Sequence, residues 1–194
     1  MKGPPQKRDT AQQILDIAEE LVRVRGFNAF SYADVAAELG ITKASLHYHF
    51  SGKGELGQAL VGRYSQRFVR ALHAIDAETD DAPTKLAAYA NLYADALQGN
   101  GMCLCGMLAA DYQTLPEPMR DSVLAFFDEN ESWLARVLEQ GRADDTLAFE
   151  RPARDTARMI ISTLEGGMLV ARPYGEVSRF QDTATALLAG LAAR

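Results

Sequence analysis

Cysteine, histidine and tryptophan are scarce in this chain, and long apolar runs are missing altogether. Two cysteines in 194 residues, Cys103 and Cys105, cannot build a disulfide framework, which points to a reducing compartment. The three histidines, His47, His49 and His73, have no Cys or carboxylate completing a ligand set: the first two diverge on one helix and the third is remote, so no metal is expected. No apolar run approaches the roughly 20 residues that span a bilayer, and the start, MKGPPQKRDT, lacks a signal core; a cytoplasmic protein without a membrane partner is expected. A nucleophile-base pair, a phosphate-binding glycine loop and a nucleotide fingerprint are also missing, so neither enzymatic activity nor a cofactor is expected. Strand alternation, internal repeats and low-complexity tracts are absent too.

What is present describes an ordinary globular chain with enough apolar content, 47% against 24% charged residues, to bury a substantial core. The net charge of −6 is unevenly spread. Residues 1–70 carry ten Lys and Arg against seven Asp and Glu, a balance of +3, which leaves −9 on the rest. Positive charge thus gathers in the N-terminal third, and the acidic remainder suppresses nonspecific polyanion binding elsewhere.

Helical spacing runs through the chain. Residues 1–8, with Pro4, Pro5 and three basic side chains, have the composition of a flexible arm that can reach a minor groove or stay solvated. From Asp9, the residues Ile14, Ile17, Ala18, Leu21 and Val22 mark a helix ending at Gly26. Phe27, Phe30 and Phe50 are expected as core aromatics. A long helix carries Leu56, Leu60, Tyr64, Phe68, Leu72 and Ile75 until Asp80, Asp81 and Pro83 interrupt it. The next stripe, Leu86 to Leu97, ends at Gly99-Asn100-Gly101, and a compact segment from Met102 to Leu115 follows. Pro116 and Pro118 open another helix, Pro152 opens one running to Pro173-Tyr174-Gly175, and Phe180 to Leu191 give the last. The fold class is all-α, about nine helices.

One stretch organises the rest: FSYADVAAELGITKASLHYHFSGKGEL, from Phe30 to Leu56. Ser31 can cap a short helix with Asp34 in its first turn, Gly40 ends it, and Thr42 can cap a second helix a few residues later. Ala44 and Leu46 are expected to pack inward, while Lys43, Ser45, Tyr48 and His49 project outward. Two short helices around a Gly-containing turn make a helix-turn-helix. Leu46-His47-Tyr48-His49-Phe50, with Lys53 and Leu56, resembles the signature closing the DNA-binding domain of TetR/AcrR-family transcriptional regulators, a resemblance strong over residues 9–60 and continuing as a helical regulatory domain. The family most often has Tyr where His47 stands.

The resemblance implies a DNA-binding domain over residues 1–52 and a helical regulatory, ligand-binding and dimerisation domain over 53–194. It implies a homodimer, paired through the last two helices, on a palindromic double-stranded DNA operator, most simply a repressor released by a small-molecule effector of unknown identity. Gly166, Gly167 and Ala171 are small enough for close helix approach, between subunits or within one. Thr42, Lys43 and Ser45 are placed to reach base edges or phosphates, with Lys43 suited to guanine O6 and N7. Ser31, His47, Tyr48, His49 and Lys53 complete the expected DNA surface, Lys53 as a phosphate anchor and the start of a long lever helix. Tyr89, Tyr93, Met107, Tyr112, Phe126, Trp133, Met159 and Met168 suit the lining of an apolar cavity with phenol and indole donors; core packing explains the same stripes. Cys103 and Cys105 permit an alternative, a redox or electrophile sensor, provided one thiol is exposed with a lowered pKa. An alternative from another class is a helical small-molecule carrier or enzyme that does not bind DNA.

Overall fold

The computed structural model describes residues 10–99 and 101–193. The expected N-terminal arm and Asn100 lie outside the described residues. Nine α-helices are found among those described: α1 Thr10–Arg25, α2 Tyr32–Leu39, α3 Lys43–His49, α4 Lys53–Glu78, α5 Ala82–Gln98, α6 Leu104–Ala110, α7 Glu117–Ala143, α8 Ala153–Ala171 and α9 Val177–Ala189. Two single-turn 3₁₀ segments follow α6 and α8.

Local chemistry explains most boundaries. The Asp34 carboxylate accepts from the Ser31 backbone N–H (2.6 Å) and hydroxyl (2.7 Å), tying down the start of α2. Gly40 then turns the chain in the left-handed region, φ 65° and ψ 30°, where a side chain would be strained. The Thr42 hydroxyl caps α3 by accepting from Ser45 N at 3.1 Å. Pro83 does not break a helix: Asp81 caps α5, accepting from Thr84 N at 2.9 Å, and the proline sits in the first turn, where its missing N–H costs nothing.

Helices α1 to α3 close around Ile14, Ala18, Val22, Val35, Leu46 and Phe50, together with Phe27 and Phe30, all buried as expected. Leu46 alone, fully enclosed, contributes roughly 1.5–3 kcal/mol of burial. Ala44 departs from expectation and is exposed, because Leu46 takes the inward position of this short helix. Helix α4 belongs to both halves: it packs on α1, which Arg63 and Arg67 reach from its middle, and also on α5, α6 and α7. Gly57 makes that crossing possible, since a Cβ there would run into Phe27 Cε2 at 2.8 Å and the Met119 thioether. The larger half packs α7 on α8, α8 on α9, and α5 against all three. Among the described residues no helix is long and apolar enough to cross a membrane.

Candidate nucleic-acid interface and regulatory core

The outward side of α3 is polar and open. Thr42, Lys43 and His47 are exposed, Ser45 and His49 half-buried, and Tyr48 is 87% exposed with only the edge of His49 against it, 5.3 Å between ring centroids. A tyrosine held this far into solvent on a seven-residue helix gains little from its own fold. His47 Nδ1 lies 3.0 Å from Ser51 O; a carbonyl only accepts, so this nitrogen carries a proton and Nε2 faces outward as an acceptor in the neutral ring. The ring rests on Tyr32, 4.8 Å between centroids, whose hydroxyl donates to Phe50 O at 3.0 Å. Burial and the nearby Glu55 carboxylate push the Tyr32 phenol up to about 12, so it stays a neutral donor. Ser31, expected at the DNA surface, spends its hydroxyl proton on Asp34.

Lys53 is turned inward. Its ammonium donates to Phe30 O at 2.5 Å and stands 4.3 and 4.7 Å from the ring centroids of Phe30 and Phe27. Burial pulls its pKa down, against the attraction of Asp111 and Asp34. Nearby, Asp111 at the end of α6 latches the helix-turn-helix half to the larger one. Its carboxylate accepts from Phe27 N (2.8 Å), Asn28 N (3.3 Å) and Asn28 Nδ2 (3.0 Å). Arg23 Nε donates to Met102 O at 2.8 Å, and Arg172, at the end of α8, donates to Val24 O. Glu19 on α1 is buried between Arg63 and Arg67 of α4. The end of α1 is thus held by α4, α6 and α8 together.

Inside the larger half, Tyr89 stacks on Trp133 (5.6 Å, 20°) and meets Tyr93 at 5.4 Å, while Phe68 packs edge-on against Phe126 at 5.1 Å. Tyr89 donates to Asn130 Oδ1 at 3.1 Å, so the 3.0 Å contact between the two phenols has Tyr93 as donor. The Trp133 indole donates to Asp76, which also pairs with Lys85 at 2.9 Å. Tyr64 donates to Cys103 Sγ at 3.5 Å. Beside that thiol lies the Glu165 carboxyl of α8, pushed up to about 7 by burial. Its Oε1 is enclosed with no hydrogen-bond partner. A cavity of about 390 Å³ opens between α1, α4 and α5, lined by Tyr64, Phe68 and Leu92 with Glu19, Arg23 and Arg67 at its rim.

Comparison with known proteins agrees with this geometry. Residues 14–60 match the model of bacterial regulatory proteins of the tetR family, and residues 82–187 match that of a tetracyclin repressor-like C-terminal domain. The chain belongs to the TetR family. A TetR-family transcriptional regulator from Agrobacterium tumefaciens superposes with a TM-score of 0.91 at 32% identity, covering 94% of this chain and 97% of that one. A TetR regulator from Legionella pneumophila gives 0.86 at 31% identity, with 94% and 97% covered. The HTH-type transcriptional repressor BepR of Brucella suis is 29% identical over 183 residues, 87% of this chain and 82% of that protein. These relatives are DNA-binding regulators and not enzymes, and this TetR-family chain is a transcriptional regulator.

Several sequence expectations need correction within the TetR-family frame. Of the expected cavity-lining residues, Tyr89, Tyr93, Phe126, Trp133 and Met168 are buried in one apolar cluster, where Tyr89 packs on Tyr93 and Trp133. Met159 is 41% exposed, because it falls on the outer side of α8, opposite Ile160 and Leu164. Met107 and Tyr112 sit at the junction between halves: the Met107 sulfur faces the Arg172 guanidinium at 3.8 Å, and Tyr112 lies under Arg120. Both cysteines are buried, Cys103 as the residue before α6 and Cys105 within it, and burial beside Glu165 pushes both thiols well up, contrary to the exposed, acidified thiol that sensing requires. Gly167 spends its smallness on Phe180 of α9 and Ala171 is buried, whereas a side chain at Gly166 would meet open space. Asp111, Arg23, Arg172, Asn130 and Glu165 had no signal in the sequence beyond their charge or polarity.

Proposed function

We propose that this chain is an effector-responsive repressor that binds a palindromic operator as a homodimer in the cytoplasm. The observation that carries it is the open polar side of α3, with Tyr48 thrust into solvent and Lys43 at the entering end. Residues 1–52 read DNA and 53–194 regulate. Lys43 meets a guanine edge, Thr42 and Ser45 meet bases or phosphates, and Tyr48 and His49 fix register on the backbone. His47 gives its Nδ1 proton to Ser51 and adds its exposed ring to this surface. The second subunit packs on α8 and α9; Leu169 and Val170 of α8 are 61% and 65% exposed, apolar surface that an isolated subunit gains nothing by leaving bare.

Release follows from the latch at Asp111. An effector that binds the larger half and prefers a shifted α6 carries the Phe27–Asn28 turn with it, and with that turn the separation of the two recognition helices; equal affinity for both arrangements would release nothing. The test is gel retardation with the intergenic DNA upstream of the gene, beside sedimentation of the free protein. A dimer retarding that DNA, with a symmetric footprint, is expected. A strict monomer, or equal retardation of unrelated DNA at physiological salt, overturns the reading.

A further inference from the structure

Glu165 is, among the described residues, an acid whose carboxyl reaches the interior without a partner of opposite charge; the Cys103 thiol donates to it, and its Oε1 is left over. Among the described residues no Lys, Arg or His forms an ion pair with it, and Oε1 has no hydrogen-bond partner. An unpaired polar atom in such a place is costly, and more so when charged, so the fold carries a penalty that a ligand can relieve. Space is kept for the carboxyl: opposite stands Gly106, and a Cβ there would collide with the Glu165 head group. The titratable groups facing it are Tyr64 of α4, Tyr89 and Tyr93 of α5, and Cys103 and Cys105 at α6. All are weak acids held neutral by burial, and none can supply a positive charge.

We infer that the molecule this interior takes is a lipophilic amine, bound with its protonated nitrogen on Glu165 and its apolar body against the rings of Tyr64 and Phe68. This rests on the effector-responsive reading above and names the ligand class of that site. The route is the cavity between α1, α4 and α5, of which Tyr64 and Phe68 form the inner wall. Tyr64 also reaches Cys103, whose thiol hydrogen-bonds the Glu165 carboxyl, so contacts run unbroken from the cavity wall to that carboxyl and a shift of Tyr64 opens the way. The rings then present their faces to the cation. An acid gains nothing here: inside it meets a carboxyl and five weak acids, and at the rim Arg67 is paired with Glu19 and Arg23 with the carbonyl oxygens of Met102 and Ala96. A neutral ligand can donate a hydrogen bond to the carboxyl but leaves its charge uncompensated. Cys103 opens α6, whose other end is the Asp111 latch, so an occupant at Glu165 presses on the element that holds the helix-turn-helix half.

Three probes of one shape test the inference by calorimetry on the full-length protein at pH 7: 1-naphthylmethylamine, 1-naphthalenemethanol and 1-naphthoic acid. The amine binds about tenfold or more tightly than the alcohol, the worth of one charge-assisted contact, and the acid is weakest. The Glu165→Gln variant loses that preference while its melting remains cooperative. A second readout needs no variant: burial holds the carboxyl part-protonated at neutral pH, so amine binding to the wild type releases protons, seen as different heats in phosphate and Tris buffers. Equal affinity for amine and alcohol, a preference for the acid, or a preference that survives in Glu165→Gln overturns the inference. Selective amine binding that leaves the protein on its operator upholds the ligand class and removes the effector reading instead.

Discussion

Replacing Lys53 by alanine separates two roles that predict opposite measurements. As a phosphate anchor, Lys53 contributes to DNA affinity through counterion release, and its loss reduces the slope of log K against log salt by about 0.9 per subunit, about 1.8 for a dimer. The structure instead commits the ammonium to Phe30 O and to the faces of Phe27 and Phe30, where it ties the start of α4 to the loop before α2. A hydrogen bond from a charged donor contributes about 1.5–3 kcal/mol, and each ring contact about 0.5–1 kcal/mol. Against this stands the cost of burial, visible as the lowered pKa of Lys53. The balance is a loss of about 1–3 kcal/mol on truncation, or about 2–12 °C in Tm for a chain of this size at fixed protein concentration. The assay pairs thermal unfolding with operator binding by fluorescence anisotropy between 50 and roughly 200 mM salt, the range over which phosphate contacts are resolved. An unchanged Tm with a salt slope reduced by nearly two would refute the inward role.

Lys43→Ala is expected to weaken specific operator binding by about 1–3 kcal/mol and to relax preference at one base pair per half-site, measured by competition with single-base operator variants; an equal loss on every sequence removes the base-reading role. Asp111→Ala leaves the Phe27 N–H without an acceptor and should cost about 1–3 kcal/mol in urea unfolding, while blunting any effector response at the operator. The Glu165 carboxyl, raised to about 7, favours the folded state when protonated; that contribution is complete below its unfolded pKa near 4.5 and is lost as pH rises through 7. Glu165→Gln should therefore be more stable than the wild type at pH 8 by about 1–3 kcal/mol, with the difference fading toward pH 5; a difference independent of pH argues against a buried, titrating carboxyl.

The linear sequence determined the helices and the family, because their causes are local. Ser31 with Asp34, Thr42 with Ser45 and Asp81 with Thr84 are partners three residues apart, and the apolar spacing from Leu56 to Ile75 needs only one helix to be read. Polar, exposed α3 was legible for the same reason, including the outward Tyr48. Tertiary structure alone decided who meets whom across the chain. Lys53 turning to Phe30, Asp111 capturing a loop 84 residues earlier, and Glu165 enclosed with two thiols depend on how α4, α6 and α8 cross, which periodicity does not encode. Amphipathic spacing tells a side chain to face inward; only the packed neighbour decides whether it finds a core, a cavity or a partner of opposite charge.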